Sequence, residues 1–104
     1  MKFYKKCQDY YKREGNEYGY YVTSFNIEKI NKDKKKIMEI LNNMSRTDNN
    51  GYLLDNAYAL LCEIYIENNE VQSAQNIIHN IHSESVKRDV ENKLAEYELN
   101  LCVL

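Results

Sequence analysis

Apolar residues recur at intervals of three and four along almost the whole 104-residue chain, and only short polar stretches and no proline break the pattern. Such spacing puts side chains on one face of a helix, which turns once in about 3.6 residues. A β-sandwich of this size would need many tight turns, and three glycines with no proline supply few. The expected fold class is all-α, with stacked antiparallel helical hairpins built from about six helices and packed as one domain over residues 1–104.

Residues 3–14 place Phe3, Cys7, Tyr10 and Tyr11 on helical spacings, and Gly15-Asn16 stops them. Residues 17–30 form a second helix with Tyr18, Tyr21, Val22, Phe25 and Ile30 on its apolar side. Asn31-Lys32-Asp33 is a turn, and the Asp33 carboxylate suits the start of a third helix over 34–44, with Ile37, Ile40, Leu41 and Met44 on one face. SRTDNNG, residues 45–51, reads as the longest loop. A fourth helix over 52–67 carries Leu54, Ala57, Tyr58, Leu61, Ile64 and Tyr65. Asn68-Asn69 breaks it, with Asn69 expected to cap a fifth helix over 70–81 bearing Val71, Ala74, Ile77, Ile78 and Ile81. HSES, residues 82–85, turns into a sixth helix over 86–101 with Val86, Val90, Leu94, Tyr97 and Leu101, capped by Ser83 or Ser85.

Three cysteines, Cys7, Cys62 and Cys102, form no paired framework, which points to reduced thiols and a cytoplasmic setting. No leader-like segment and no long apolar run stands out, so no membrane partner is expected. Charge is divided unevenly. Residues 1–36 carry ten Lys/Arg and five Asp/Glu, whereas residues 37–104 carry four and eleven. Such a dipole steers charged partners and favours homo-oligomers assembled head to tail.

Chemical motifs are sparse. His79 and His82 share a helix edge near Glu84, a zinc-like combination, but His79 falls beside the apolar stripe and the pair reads as surface. Cys62 stands in a small-residue packing slot with no histidine spaced to activate it. Glu63 and Glu67, one helical turn apart, read as solvated surface. No phosphate loop, GxSxG or HExxH occurs. The chain reads as non-enzymatic, with no cofactor and no metal implied. Lys29, Lys32, Lys34, Lys35 and Lys36, with Lys2, Lys5, Lys6, Lys12 and Arg13 among tyrosines, form a basic N-terminal third. Nucleic acid is nonetheless the weaker partner assignment, because the overall pI is about 5.7 and the patch is mostly lysine.

Three nine-residue pieces share a pattern: 6–14 (Cys7, Tyr10, Tyr11), 36–44 (Ile37, Ile40, Leu41) and 73–81 (Ala74, Ile77, Ile78). Repeats at such intervals signal stacked helical hairpins. In residues 55–88, the series Tyr58, Leu61, Cys62, Tyr65 followed by Ala74, Ile78 and Ile81 resembles a tetratricopeptide repeat. Small residues there let two helices approach closely while large ones fill the space between them. The copy departs from the family at Asn69, where Gly is usual, at Ile78 and Ile81, and at Val86, where Pro is common. Residues 18–51 resemble a weaker copy through Tyr21, Ser24, Phe25, Ile37, Leu41 and Met44.

The resemblance implies a face that holds a protein or peptide, lined by the first helix of each pair. On the fourth helix it assigns Asn56, Ala59, Glu63 and Ile66 to that face; on the second, Val22, Asn26 and Lys29; on the sixth, Lys93, Tyr97 and Asn100. Asn26, Asn56 and Asn100 suit a peptide backbone, since an amide both donates and accepts. Ala59 and Glu63 stand where a carboxylate clamp would need cationic or amide groups, so an acidic chaperone tail is not the expected ligand. Bacterial receptors for signalling peptides use comparable repeats. The expectation is therefore an adaptor or regulator that binds a protein or peptide. The alternative is a small regulator binding nucleic acid through the Tyr-rich basic third. The apolar ends, Met-Lys-Phe-Tyr and Leu101-Cys102-Val103-Leu104, point to self-association, to docking onto a partner, or to a piece of a longer repeat array.

Overall fold

A computed structural model describes residues 2–44 and 51–103. The described residues form α1 (Lys2–Glu14), α2 (Glu17–Asn31), α3 (Lys34–Asn43), α4 (Gly51–Glu67), α5 (Val71–Ile77), a 3-10 turn (Ile78–Asn80) and α6 (Glu84–Val103), and no strand occurs among them. The all-α expectation holds, and the expected elements appear with boundaries shifted by a few residues. The expected loop over 45–51 lies outside the described residues except for Gly51, which opens α4. The chain divides into two compact units, Met1–Leu53 and Leu54–Leu104.

In the first unit, the turn after α1 is closed by Gly15 at φ 70°. Its N–H donates to Lys12 O at 3.3 Å and that of Asn16 to Tyr11 O at 2.9 Å, the paired bonds of a Schellman ending. The Asn16 side chain then accepts from Gly19 N–H at 2.9 Å and starts α2. Lys32, left-handed at φ 55°, ends α2, and Asp33 caps α3 by accepting from the N–H groups of Lys35 and Lys36.

The faces of α1 and α2 correct the expected stripes. Phe3 is 72% exposed, Tyr10 53%, Tyr18 47% and Ile30 57%, so these four are not core. The sheltered side of α1 is Tyr4, Cys7, Gln8 and Tyr11. The buried residues of α2 are Thr23, Ser24, Ile27 and Glu28, three of them polar. Close approach explains the choice. The Tyr11 ring lies so near Gly19 that a Cβ there would meet Tyr11 Cδ1 at 2.6 Å. Small residues on that side let the helices pack, and large aromatics on the other would hold them apart. The hydroxyls are satisfied locally: Thr23 donates to Gly19 O and Ser24 to Tyr20 O, each at 2.8 Å, and Ser24 also accepts from Gln8 Nε2 at 2.8 Å across α1 and α2.

In the second unit, α4 buries Leu54, Asp55, Ala57, Leu60, Leu61, Cys62, Ile64 and Ile66. Asn69 does not cap the fifth helix. It ends α4 in the left-handed conformation at φ 65°, donating to Ile66 O at 3.0 Å while Glu70 N–H reaches Tyr65 O at 2.7 Å. It thus takes the turn role for which a glycine is the common choice. α5 is shorter than expected. After Ile77 the backbone tightens into the 3-10 turn, and Ile81 N–H bonds Ile78 O at 3.2 Å. Ser83 starts α6, its hydroxyl accepting from Val86 N–H at 3.4 Å and its carbonyl from Lys87 N–H at 2.9 Å. Cys62, Ile66, Ala74, Ile81 and Val90 form the core of this unit, with Tyr58, Ile78, Leu94 and Tyr97 packed against it. Ala74 is fully buried and Cys62 Sγ lies 3.7 Å from its carbonyl, so α4 and α5 touch where the two small side chains meet.

One polar contact ties the unit together. Asp55 is 4% exposed, and its two carboxylate oxygens accept from His82 N–H and Ser83 N–H, both at 3.0 Å. Those N–H groups precede the first turn of α6, where the helix leaves donors unpaired. Replacing Asp55 with alanine removes two charge-assisted bonds and is expected to lower the unfolding free energy by about 3 kcal/mol. Asparagine should lose less, because its amide oxygen can still take one bond. Urea unfolding followed by circular dichroism measures both.

Candidate partner-binding face and a polar cleft

The second unit brings α4 and α6 side by side and parallel. Asp55 meets residues 82–83, Glu63 Oε2 lies 3.3 Å from Lys93 Nζ, and the Tyr97 hydroxyl donates to Asn69 Oδ1. As the chain advances along α4, its partners advance along α6, so α5 and the 3-10 turn carry the chain back between them. Asn56, Ala59 and Glu63 lie at i, i+3 and i+7 on α4, one edge of that helix. Lys93, Tyr97 and Asn100 lie at i, i+4 and i+7 on α6. The structure joins these edges through the Glu63–Lys93 pair. Both side chains are substantially exposed, so the pair contributes only about 0–1 kcal/mol and matters chiefly for position.

Of the other predicted residues, Asn56, Ala59 and Tyr97 are half-buried and Asn100 is exposed. Ile66 does not line a face, because at 8% exposure it belongs to the core. Val22 and Asn26 are half-buried on α2, in the first unit, and Lys29 is exposed with its Nζ 5.6 Å from the centre of the Phe25 ring, a cation–π contact. Asn69 was not among the predicted face residues, although its left-handed turn was readable. Its side chain is the acceptor that fixes Tyr97.

The candidates for reactive chemistry sit elsewhere. His79 and His82 are exposed, and among the described residues no group of three His, Cys, Asp or Glu side chains is placed to hold a metal ion. Burial pushes the Cys62 thiol up to about 12, so it stays protonated and weakly nucleophilic at neutral pH. Thiol alkylation with peptide mapping is expected to modify half-buried Cys7 in the native protein and Cys62 only after denaturant is added.

Sequence reasoning missed a second feature. In the first unit, α1, α2 and α3 enclose a cleft of about 370 Å³ whose lining includes Lys5, Gln8, Ser24, Glu28, Lys36 and Glu39. Glu28 is 3% exposed, and its Oε1 has no hydrogen-bond partner among the described residues. Burial raises its carboxyl above the ordinary range; the Lys36 charge and the backbone N–H of Asp33 oppose this in part, and the Asp33 charge reinforces it. Tyr21 lines the same cleft, and burial, then the charges of Glu17 and Tyr20, hold its hydroxyl above its usual range. The available signal was the i, i+4 pair Ser24/Glu28 beside Ile27, which a helix phase led by tyrosines obscured.

Comparison with protein families, curated proteins and solved structures finds no match to this chain. Among the described residues no helix is long and apolar enough to cross a membrane.

Because the folded carboxyl of Glu28 holds its proton to higher pH than the unfolded one, folding takes up a proton in that window. Stability contributed by this group is therefore lost as pH rises from the unfolded carboxylate range through the raised folded one. Glu28→Gln is expected to stabilise the protein by about 1 kcal/mol at neutral pH, with the advantage disappearing in acid where wild-type Glu28 is protonated in both states. Thermal melts across pH for the two proteins check this.

Proposed function

We propose that this chain is a non-catalytic, tetratricopeptide-like module that binds a protein or peptide, acting as an adaptor or regulator. The observation that carries the reading is the parallel α4–α6 pair, with Glu63 3.3 Å from Lys93. An extended segment laid along it would meet the Asn56 amide at one end and the Glu63–Lys93 pair midway. It would meet Asn100 and the anchored Tyr97 ring at the other end. Tyrosine supplies large contact area at small conformational cost, and its bond to Asn69 holds it in place before binding.

The test is selection from a displayed peptide library, followed by calorimetry on the chosen peptides. The double variant Asn56→Ala with Tyr97→Ala is expected to weaken binding by roughly tenfold or more, with its helical signal retained. Peptides bound equally by wild type and double variant would overturn the assignment of this face.

A second reading rests on the first unit, where Lys29, Lys32, Lys35 and Lys36 are exposed together with Tyr10 and Tyr18. Single-stranded nucleic acid could use such cations and rings. That reading requires an affinity for RNA or DNA that falls steeply as salt is raised, and salt-insensitive or absent binding removes it.

A further inference from the structure

The cleft of the first unit poses a chemical question independent of the α4–α6 face. A carboxylate oxygen that is buried and unpaired costs free energy, and folded proteins rarely keep one without a use. Glu28, the residue that carries such an oxygen, is almost fully buried yet belongs to the lining of a cleft of about 370 Å³. That volume lies at the small end of ordinary ligand sites, which run from about 300 to 1,000 Å³.

The lining limits what could enter. Two carboxylates, Glu28 and Glu39, share the cleft with two ammonium groups, Lys5 and Lys36. A simple cation would be repelled by the lysines and a simple anion by the carboxylates. A ligand carrying both charges a few atoms apart can satisfy both sets. The amides of Asn31 and Asn43 add groups that donate and accept, suited to the polar bonds of such a molecule. Gln8 and Ser24, also in the lining, already bond to each other, so the orphan is the Glu28 oxygen.

We propose that this cleft binds a small zwitterion, an α-amino acid or a short unblocked peptide, with the ligand ammonium on Glu28 and its carboxylate toward Lys5 and Lys36. The ligand supplies the donor that Glu28 lacks, forming a charge-assisted bond in a sheltered site, where such bonds are strongest.

The experiment uses the full chain labelled with nitrogen-15 and records amide spectra during titration with each free amino acid, with dialanine and trialanine, and with N-acetylated and C-amidated alanine. Saturable shifts confined to residues 5–43 with the unblocked compounds support the site. Preference for amino acids over the peptides, or the reverse, identifies the source. Glu28→Gln is expected to weaken binding by roughly tenfold to a hundredfold, and acetylation of the ligand amine should have a similar effect. Lys36→Met should weaken unblocked ligands while leaving the already weak C-amidated compound unchanged, and it reads the other end of the ligand if the Glu28 variant folds poorly. Absence of saturable shifts, equal binding by Glu28→Gln, or equal binding of blocked and unblocked alanine would overturn the proposal. None of these results bears on the α4–α6 face, because the variants and the shifted residues lie in the other unit.

Discussion

The carboxylate of Asp55 sets the geometry of the second unit. It stands in the second turn of α4 and holds the two backbone N–H groups that lead into α6. A helix start leaves donors without partners, and burial makes such donors costly. A buried carboxylate would be costly for the opposite reason. Each cancels the other's penalty only if α6 begins beside the start of α4. With that point fixed, the length of α4 dictates the return path: one turn after Glu63 the helix must end, reverse at Asn69 and come back far enough to reach residue 82. A seven-residue helix and a 3-10 turn cover the distance, the 3-10 turn advancing about 2.0 Å per residue against about 1.5 Å in an α-helix. Ala74 and Cys62 allow the returning segment to lie close against α4.

The first unit is built on a different balance. Its helices approach through Gly19, Thr23 and Ser24, and the hydroxyls turn their hydrogen bonds back onto the preceding turn of the same helix. Those internal bonds offset the cost of polar burial without requiring partners on the neighbouring helix. Phe3 and Tyr10, displaced from the interface, stack edge-to-face on their half-buried neighbours Tyr4 and Tyr11, and half-buried Tyr20 and Tyr21 stack on each other in the same way. The tyrosines of α1 and α2 therefore rim the helix contact, half-buried or exposed, and none of them fills its centre.

This contrast explains how much was legible beforehand. Helix number, the turns at Gly15-Asn16 and Asn68-Asn69, the Asp33 cap and the buried faces of α3 and α5 follow from period and turn chemistry, which act locally. The phase of α1 and α2 did not, because a pattern weighted by side-chain size counts tyrosine as core and serine as surface. Close helix approach reverses that ranking. Asp55 was invisible for a related reason. An acidic residue inside an apolar stripe looks like noise until the donors it meets, twenty-seven and twenty-eight residues later, are brought to it by the fold. On the candidate face, the α4 and α6 positions followed from helical spacing, whereas the Asn69 acceptor that orients Tyr97 depended on a contact between distant residues.

Asp55 and Glu28 make the same comparison at the level of function. Both are acidic residues on helices and both are almost fully buried, at 4% and 3% exposure. Asp55 uses both oxygens on backbone donors and so belongs to the architecture. Glu28 uses the Asp33 N–H and leaves Oε1 without a hydrogen-bond partner among the described residues. If burial were needed only for packing, a leucine or glutamine would fill the position at lower cost. The asymmetry lies in what surrounds each group. The donors for Asp55 are part of the backbone and always present, whereas the cleft beside Glu28 leaves room for a donor that arrives from outside.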